Sequence, residues 1–420
     1  MSSINNDNQR IIIHADLNSF FATAEQQANP ALRDKPVGVV KGRGRTCIIA
    51  ASIEAKRRGV MTGARVSDAK RLCPEIILIP ADFTKYEYIS RRFIKICASY
   101  SPACEVFSID ECFLDVTETE HLFGNVFNIA FDLKQRLSRE IGDYMTCSVG
   151  ISHNKFLAKL ASNQIKPDGL FWITDDNAIS ILDRSKLMDV CGLGFGLFRH
   201  LEKLGIDSSL KLRACSAEFL YKHFGPHWSL HLYNICRGID NLPVIPINDI
   251  ADAKSVGRTY TTHRLLTRRD EMEKVMRNLC EEAAGKARQM GLVGRYVSVC
   301  LREGRGGQSY WGHLTLYDYI DSGKVFFDLC RKISADWLVR DAIFCGVTLA
   351  MLAPKKYQPI PLFADDRRNE RLVKSMDLAN QKYGDYTVFP AQLLSMPIVM
   401  PEVTGYFGDR KYQLSKMEHL

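Results

Sequence analysis

The sequence predicts a multidomain α/β protein, and three observations carry that expectation. At 420 residues the chain exceeds what one ordinary hydrophobic core serves, so roughly two to four domains follow. Residues 11–170 alternate short apolar runs with amphipathic segments, the pattern of strands and helices packed in layers. From Lys254 onward the order reads strand, helix, strand, strand, helix, strand, which suits a small ferredoxin-like sheet with helices on one face.

Residues 11–15 form an apolar run that ends at Asp16, and 18–27 have helical spacing. Residues 36–80 are a compact stretch of short strands and helices rich in basic side chains, an insertion in the α/β domain. Strands are expected over 103–109 and 112–116, on either side of Asp110 and Glu111, and again over 145–151. A helix over 154–165 stops at Lys166-Pro167. Residues 174–240 turn helical with Gly-rich turns, and 243–252 read as a linker with two prolines and no helical period. Beyond it, helices are expected over 270–290 and 322–335, and the clearest strands over 296–301 and 344–349. After Pro354 the chain becomes polar and turn-rich, with one helical stretch over 367–383.

Composition narrows the class. Hydrophobic content of 46% and charged content of 25% are those of a soluble globular protein. A net charge of +8 permits a polyanionic partner without demanding one. Residues 1–10 are polar and lack the apolar segment of a signal peptide, and no apolar run approaches bilayer length. A cytoplasmic protein is therefore expected. Thirteen cysteines include no C-x-x-C, and the closest pair, Cys97 and Cys104, is separated by six residues. That spacing argues against structural zinc and for scattered reduced thiols.

Chemistry enters with the acids. Asp16 follows the apolar run IIIHA, and Asp110 and Glu111 sit between VFSI and CFLDV. A carboxylate beside an apolar core needs water, hydrogen bonds or a cation. Acids converging from adjacent strands repel one another, and hard divalent cations relieve that repulsion. Two such ions about 4 Å apart serve in-line phosphoryl transfer. On spacing alone, surface turn acids, one of them capping the following helix, are the better explanation of these residues.

Their surroundings decide. Asp16-Leu-Asn-Ser-Phe-Phe-Ala and Ser108-Ile-Asp-Glu-Cys-Phe-Leu-Asp together resemble the two palm motifs of the Y-family DNA polymerases. The block Val149-Gly-Ile-Ser-His-Asn-Lys-Phe-Leu-Ala-Lys-Leu-Ala-Ser, then Lys166-Pro-Asp-Gly, and Lys254-Ser-Val-Gly-Arg extend the resemblance over nearly the whole chain. It implies a palm with a mixed sheet (1–35 and 81–173), small fingers (36–80), and a helical thumb with a helix–hairpin–helix (174–242). A linker (243–253), a ferredoxin-like little finger (254–354) and a C-terminal tail (355–420) complete it.

The resemblance also implies roles. Asp16, Asp110 and Glu111, with the Leu17 backbone carbonyl, would hold two Mg2+ ions, or Mn2+ in their place, for addition of dNTPs to a primer 3′ end. Asn18 stands where many relatives have another acid, a side chain the family does not rely on for metal. Phe20 and Phe21 fall beside the nucleotide. Core packing is the ordinary explanation for such a pair and suits Phe20, whereas Phe21 holds the steric-gate position that excludes a 2′-hydroxyl. In the fingers, Ile53 replaces the usual Tyr and Lys56 the usual Arg. Isoleucine cannot donate a hydrogen bond and lysine lacks the bidentate fork, so weaker nucleotide affinity is expected. Lys166 is the other implied triphosphate cation.

The segment Cys191-Gly-Leu-Gly-Phe-Gly resembles a hairpin whose Gly192 and Gly194 let backbone amides approach a DNA phosphate. Lys254, Arg258, Arg264, Arg268, Arg269, Arg295, Arg302 and Arg305 lie in and beside the little-finger strands, suited to successive phosphates. Gln358-Pro-Ile-Pro-Leu-Phe, through Gln358, Leu362 and Phe363, resembles peptides that dock on the bacterial sliding clamp. The implied partners are primer–template DNA, dNTP and that clamp, with no membrane, and the protein is expected to be a monomer. The implied activity is low-fidelity translesion synthesis. A nucleotide cyclase fits the paired acids but not the hairpin or the basic strands. A silent scaffold fits poorly because such proteins lose the acids, and within the family a single-chain enzyme competes with the catalytic subunit of a larger complex.

Overall fold

The computed structural model describes residues 10–41, 47–304, 306–337, 341–359, 364–394 and 398–399. The chain divides into two compact units between Ile250 and Ala251.

The N-terminal unit starts with β1 (Ile12–Leu17), buried along its whole length, and α1 (Phe20–Ala28). A small sheet follows, with β2 (Val37–Val40), β3 (Ile48–Ala51), α2 (Ile53–Arg57), α3 (Val66–Leu72) and β4 (Ile77–Pro80). Its order is β3-β2-β4, with β2 antiparallel to β3 and parallel to β4, over a core that includes Ile48, Ala55, Val60 and Cys73. Then come α4 (Phe83–Ala98), β5 (Cys104–Val106), β6 (Glu111–Asp115), α5 (Val126–Glu140), β7 (Cys147–Ser152), α6 (Lys155–Ser162) and β8 (Leu170–Trp172).

The main sheet has the order β5-β6-β1-β7-β8. β1 is antiparallel to both neighbours and β8 parallel to β7, so the sheet is mixed. Gly150 of β7 lets α6 approach closely: a Cβ there would lie 2.1 Å from the Ala158 carbonyl oxygen. Four more helices follow, α7 (Asp175–Arg184), α8 (Phe195–Lys203), α9 (Ser209–Ala214) and α10 (Ala217–Ile235). They bury Ile181, Leu201, Leu212 and Leu232 together with Leu157 of α6. The stretch read as a linker is anchored where it starts, since Val244 packs with Ile12 and Phe113.

The C-terminal unit contains β9 (Ser255–Leu266), α11 (Arg269–Gln289), β10 (Leu292–Glu303), β11 (Ser309–Ile320), α12 (Gly323–Ile333), β12 (Ala342–Pro354) and α13 (Ala364–Tyr383). The sheet order is β11-β10-β12-β9, every neighbouring pair antiparallel. A core of Val256, Leu279, Ala283, Val297, Phe326, Phe327 and Val347 joins one sheet face to α11 and α12. Along β9, buried and exposed residues alternate, as one covered face requires. Among the described residues, no helix is long and apolar enough to cross a membrane.

Candidate active site

The sheet register builds the site. Asp16 near the end of β1 pairs directly with Glu111, the first residue of β6. Asp110 precedes it, and its carbonyl accepts the Leu17 amide at 3.0 Å. The expected strand over 103–109 stops at Val106, because Ser108 turns its hydroxyl onto Asp110 Oδ1 at 2.5 Å and the chain bends there. The three acids thus emerge together from two adjacent strands.

Their electrostatics differ. Burial pushes the Asp110 carboxyl up to about 6; the Ser108 hydrogen bond resists this and the charges of Asp16 and Glu111 add to it. Glu111 is held down at about 2, because the hydrogen bond from His14 and the charge of Lys159 outweigh a larger opposing effect of burial. Asp16 is 8% exposed and pairs with Lys166, while Glu111 pairs with Lys159. Lys56, on α2, donates to Ser19 Oγ at 2.8 Å. Its pKa is lowered, first because the surrounding protein limits hydration of the ammonium and then because Lys166 repels it.

Three hard oxygen donors, one of them an acid pushed up by burial and by the other two, suit a divalent metal. Among the described residues no three His, Cys, Asp or Glu side chains stand together as a ready cage. Asp16 is turned onto Lys166 and Glu111 onto Lys159. The donors therefore fit such an ion in kind, and an ion there competes with Lys166 for the charge of Asp16.

Sequence reasoning missed the groups that hold this arrangement. Asn18 is buried, donates to Ser148 Oγ at 2.9 Å, and accepts from Thr146 Oγ1 at 3.1 Å and from the Asp168 amide at 2.8 Å. One side chain thereby ties the end of β1 to β7 and to the loop that carries Lys166. His14 and Lys159 were given no role, although His14 lies two residues before Asp16 and so on the same face of the strand.

Phe21 stacks on Tyr86 with ring centres 4.1 Å apart and a 10° tilt, and meets Phe83 edge-on at 6.2 Å. Tyr86 is buried and donates its hydroxyl to Glu25 Oε1 at 2.7 Å, while Lys85 pairs with Glu25 at 2.8 Å. Phe21 stays half-buried with part of its ring in reach of solvent. Phe20 is 3% exposed, so its ring belongs to the core under α1, as the packing explanation has it. Ile53 opens α2, whose N-terminus Ser52 caps by accepting from the Ala55 amide at 3.3 Å.

In the helical region Gly192 has φ +93°, and a Cβ there would lie 2.7 Å from His231 Nε2, so the turn demands glycine. Gly194 is the N-cap of α8, with no side-chain cap and open space around it, which leaves backbone amides uncovered. Within the C-terminal unit, Arg302 is exposed with its guanidinium 4.9 Å from the Phe344 ring centre, Lys254 is exposed, and Arg295 lies over Tyr319 at 5.7 Å. Arg258 is corrected. It shares the helix-facing side of β9 with Val256 and is buried against Glu282 at 2.5 Å, which removes it from any DNA-facing surface. Arg264, Arg268 and Arg269 pair with Glu271, Asp270 and Glu273 at the start of α11. Gln358 closes a 3-10 turn over Lys355–Tyr357; Arg305, Leu362 and Phe363 lie outside the described residues.

Comparison with known proteins follows the same chain segments. The impB/mucB/samB family model matches residues 15–163, and the model of that family's C-terminal domain matches residues 253–362. The DNA polymerase IV of Moorella thermoacetica is 34% identical over 392 residues, covering 91% of this chain and 96% of that protein. The DNA polymerase IV of Bacteroides fragilis is 39% identical over 257 residues, 61% of this chain and 69% of that protein. A solved Y-family DNA polymerase chimera is similar with a TM-score of 0.69 and 26% identity, covering 81% of this chain and 98% of the chimera.

Proposed function

The chain belongs to the Y-family DNA polymerases, the impB/mucB/samB family, and on that premise we propose that it copies past damaged template bases through metal-assisted phosphoryl transfer at Asp16, Asp110 and Glu111. It is a DNA-directed DNA polymerase, similar to DNA polymerase IV. The observation that carries the site assignment is the convergence of three acids from paired strands, with Asp110 driven up to about 6 by burial and by its neighbours.

Asp16, Asp110 and Glu111, with the Leu17 carbonyl, are the donors for the metal. Two Mg2+ ions, or Mn2+, would lower the pKa of the primer 3′-hydroxyl and neutralise charge on the triphosphate. The chain's own part begins with Lys166. Its ammonium holds the Asp16 carboxylate while no triphosphate is present, and it transfers to the triphosphate when Asp16 takes up its ligand role. Lys56 supplies a second cation on the same side; its poor hydration favours an anionic partner over water. The Phe21 ring, braced by Tyr86 and Phe83, stands against the deoxyribose and leaves no room for a 2′-hydroxyl. Amides at Gly194 and the start of α8 take a DNA phosphate, and Lys254, Arg295 and Arg302 take others.

The remaining assignments are proposals of the same standing. The domain limits are those read from the sequence, the tail peptide from Gln358 to Phe363 docks on a sliding clamp, and the enzyme works as a single cytoplasmic chain. Primer extension on a recessed duplex with Mg2+ and dNTPs tests the core of this reading. Template-matched addition by wild type, abolished in Asp110→Ala/Glu111→Ala, supports it. Extension that survives the double substitution refutes the site, and wild-type inactivity with both Mg2+ and Mn2+ despite DNA binding refutes the mechanism.

A further inference from the structure

His14 is fully buried in β1, and its ring packs on Phe113 with centres 4.5 Å apart. It joins two elements of the site. Nε2 lies 3.1 Å from Glu111 Oε2, and Nδ1 lies 2.8 Å from Ser162 Oγ, at the end of α6. An ionised carboxylate only accepts, so Nε2 carries the hydrogen that faces Glu111. Ser162 Oγ, beside Nδ1, donates its own hydrogen to the Lys159 carbonyl at 2.9 Å. Ser162 therefore holds the ring from its far side and ties it to the turn of α6 that carries Lys159. Lys159, also on α6, brings its ammonium to the same Glu111 oxygen. Oε2 is engaged twice, whereas Oε1 takes no hydrogen bond among the described residues.

We propose that His14, oriented by Ser162, is a positioning residue that makes Glu111 a one-oxygen metal ligand, with Oε2 held back and Oε1 presented to the cation. The proposal rests on the reading of Asp16, Asp110 and Glu111 as the metal-binding acids. A ligand fixed in this way loses little freedom when the ion arrives, and an outer partner of this kind is worth about 10- to 100-fold in metal affinity.

The test is binding of Mn2+, followed by electron paramagnetic resonance. The full chain is assembled with a primer–template ending in a dideoxynucleotide and the matching dNTP, so no turnover occurs. His14→Phe keeps a ring against Phe113 and removes the donor; Mn2+ affinity falls about 10- to 100-fold. His14→Gln, whose amide N–H reaches to about the place of Nε2, restores most of it. Ser162→Ala, which removes the contact at Nδ1, gives a smaller loss. Equal affinity in wild type and His14→Phe overturns the proposal, and so does a His14→Gln variant no better than His14→Phe. Melting curves report whether each variant folds, and if His14→Phe does not, His14→Gln and Ser162→Ala decide. Wild type binding Mn2+ no better than Asp110→Ala/Glu111→Ala overturns the assignment of the acids instead.

Discussion

Lys166→Met separates two tasks that the proposed mechanism gives one ammonium. Without metal, Lys166 neutralises Asp16; their side chains are 38% and 12% exposed. Breaking a fully buried pair costs about 3–5 kcal/mol and an exposed one about 0–1. With one partner in the core and the other partly in water, the loss falls between, at about 1–2 kcal/mol. In a chain of this length that lowers the melting midpoint by about 1–2 °C. Metal reverses the sign. In wild type the ammonium competes with the ion for Asp16, and in the variant it does not, so Mg2+ binds up to about 5- to 30-fold more tightly for the same 1–2 kcal/mol. The triphosphate loses a cation, and KM for dNTP rises. Melting curves in EDTA and across a Mg2+ series, with steady-state primer extension, measure all three. An unchanged midpoint in EDTA together with an unchanged Mg2+ response would show that Lys166 does not neutralise Asp16, and the competition argument would fail.

Phe21→Ala should admit ribonucleotides, read as the ratio of rNTP to dNTP insertion; unchanged sugar selectivity counts against the assignment. Asp110 is raised from its ordinary 3.8 to about 6. Ionising it opposes folding, so stability falls as pH rises between those values and the penalty is complete above the upper one. In EDTA, Asp110→Asn is therefore expected to gain about 2–3 kcal/mol over wild type at pH 7 and nothing at pH 3, measured by urea denaturation, while losing primer extension. Arg302→Ala should weaken DNA binding and reduce the salt slope by about one charge. Arg258→Ala should instead destabilise the C-terminal unit by leaving Glu282 without its arginine, and fluorescence anisotropy at several salt concentrations separates the two cases.

The acids were legible through the motifs around them, since their spacing alone pointed to turn acids, and strand pairing needs only one register to bring Asp16 opposite Glu111. What escaped was the choice of partners. Asn18 reads as a lost acid until its three hydrogen bonds to β7 and the Lys166 loop are visible, and those partners lie far away in sequence. Lys159 sat inside a quoted motif, yet nothing local says that its ammonium reaches Glu111. Arg258 was misplaced for a simpler reason. Its charge suggested the outer face, although the alternation of Val256, Arg258 and Tyr260 already put it with the helix-facing side. Strand ends were underestimated: β10 runs from Leu292 to Glu303 because, between β11 and β12, its pairing continues past the expected stretch at both ends.

The aromatic group around Phe21 spreads one property over several positions. Its ring leans on Tyr86, and Tyr86 is steered by a carboxylate on α1 that Lys85 also grips. In the proposed gate role of Phe21, the hardness of the wall is thus set from behind, by residues outside the proposed nucleotide contacts. A change at Glu25 or Lys85 would soften it by degrees, whereas a change at Phe21 removes it at once. Selection therefore has a dial for nucleotide choice as well as a switch, and drift in α4 alone can move the enzyme along that scale while every residue of the catalytic set stays the same.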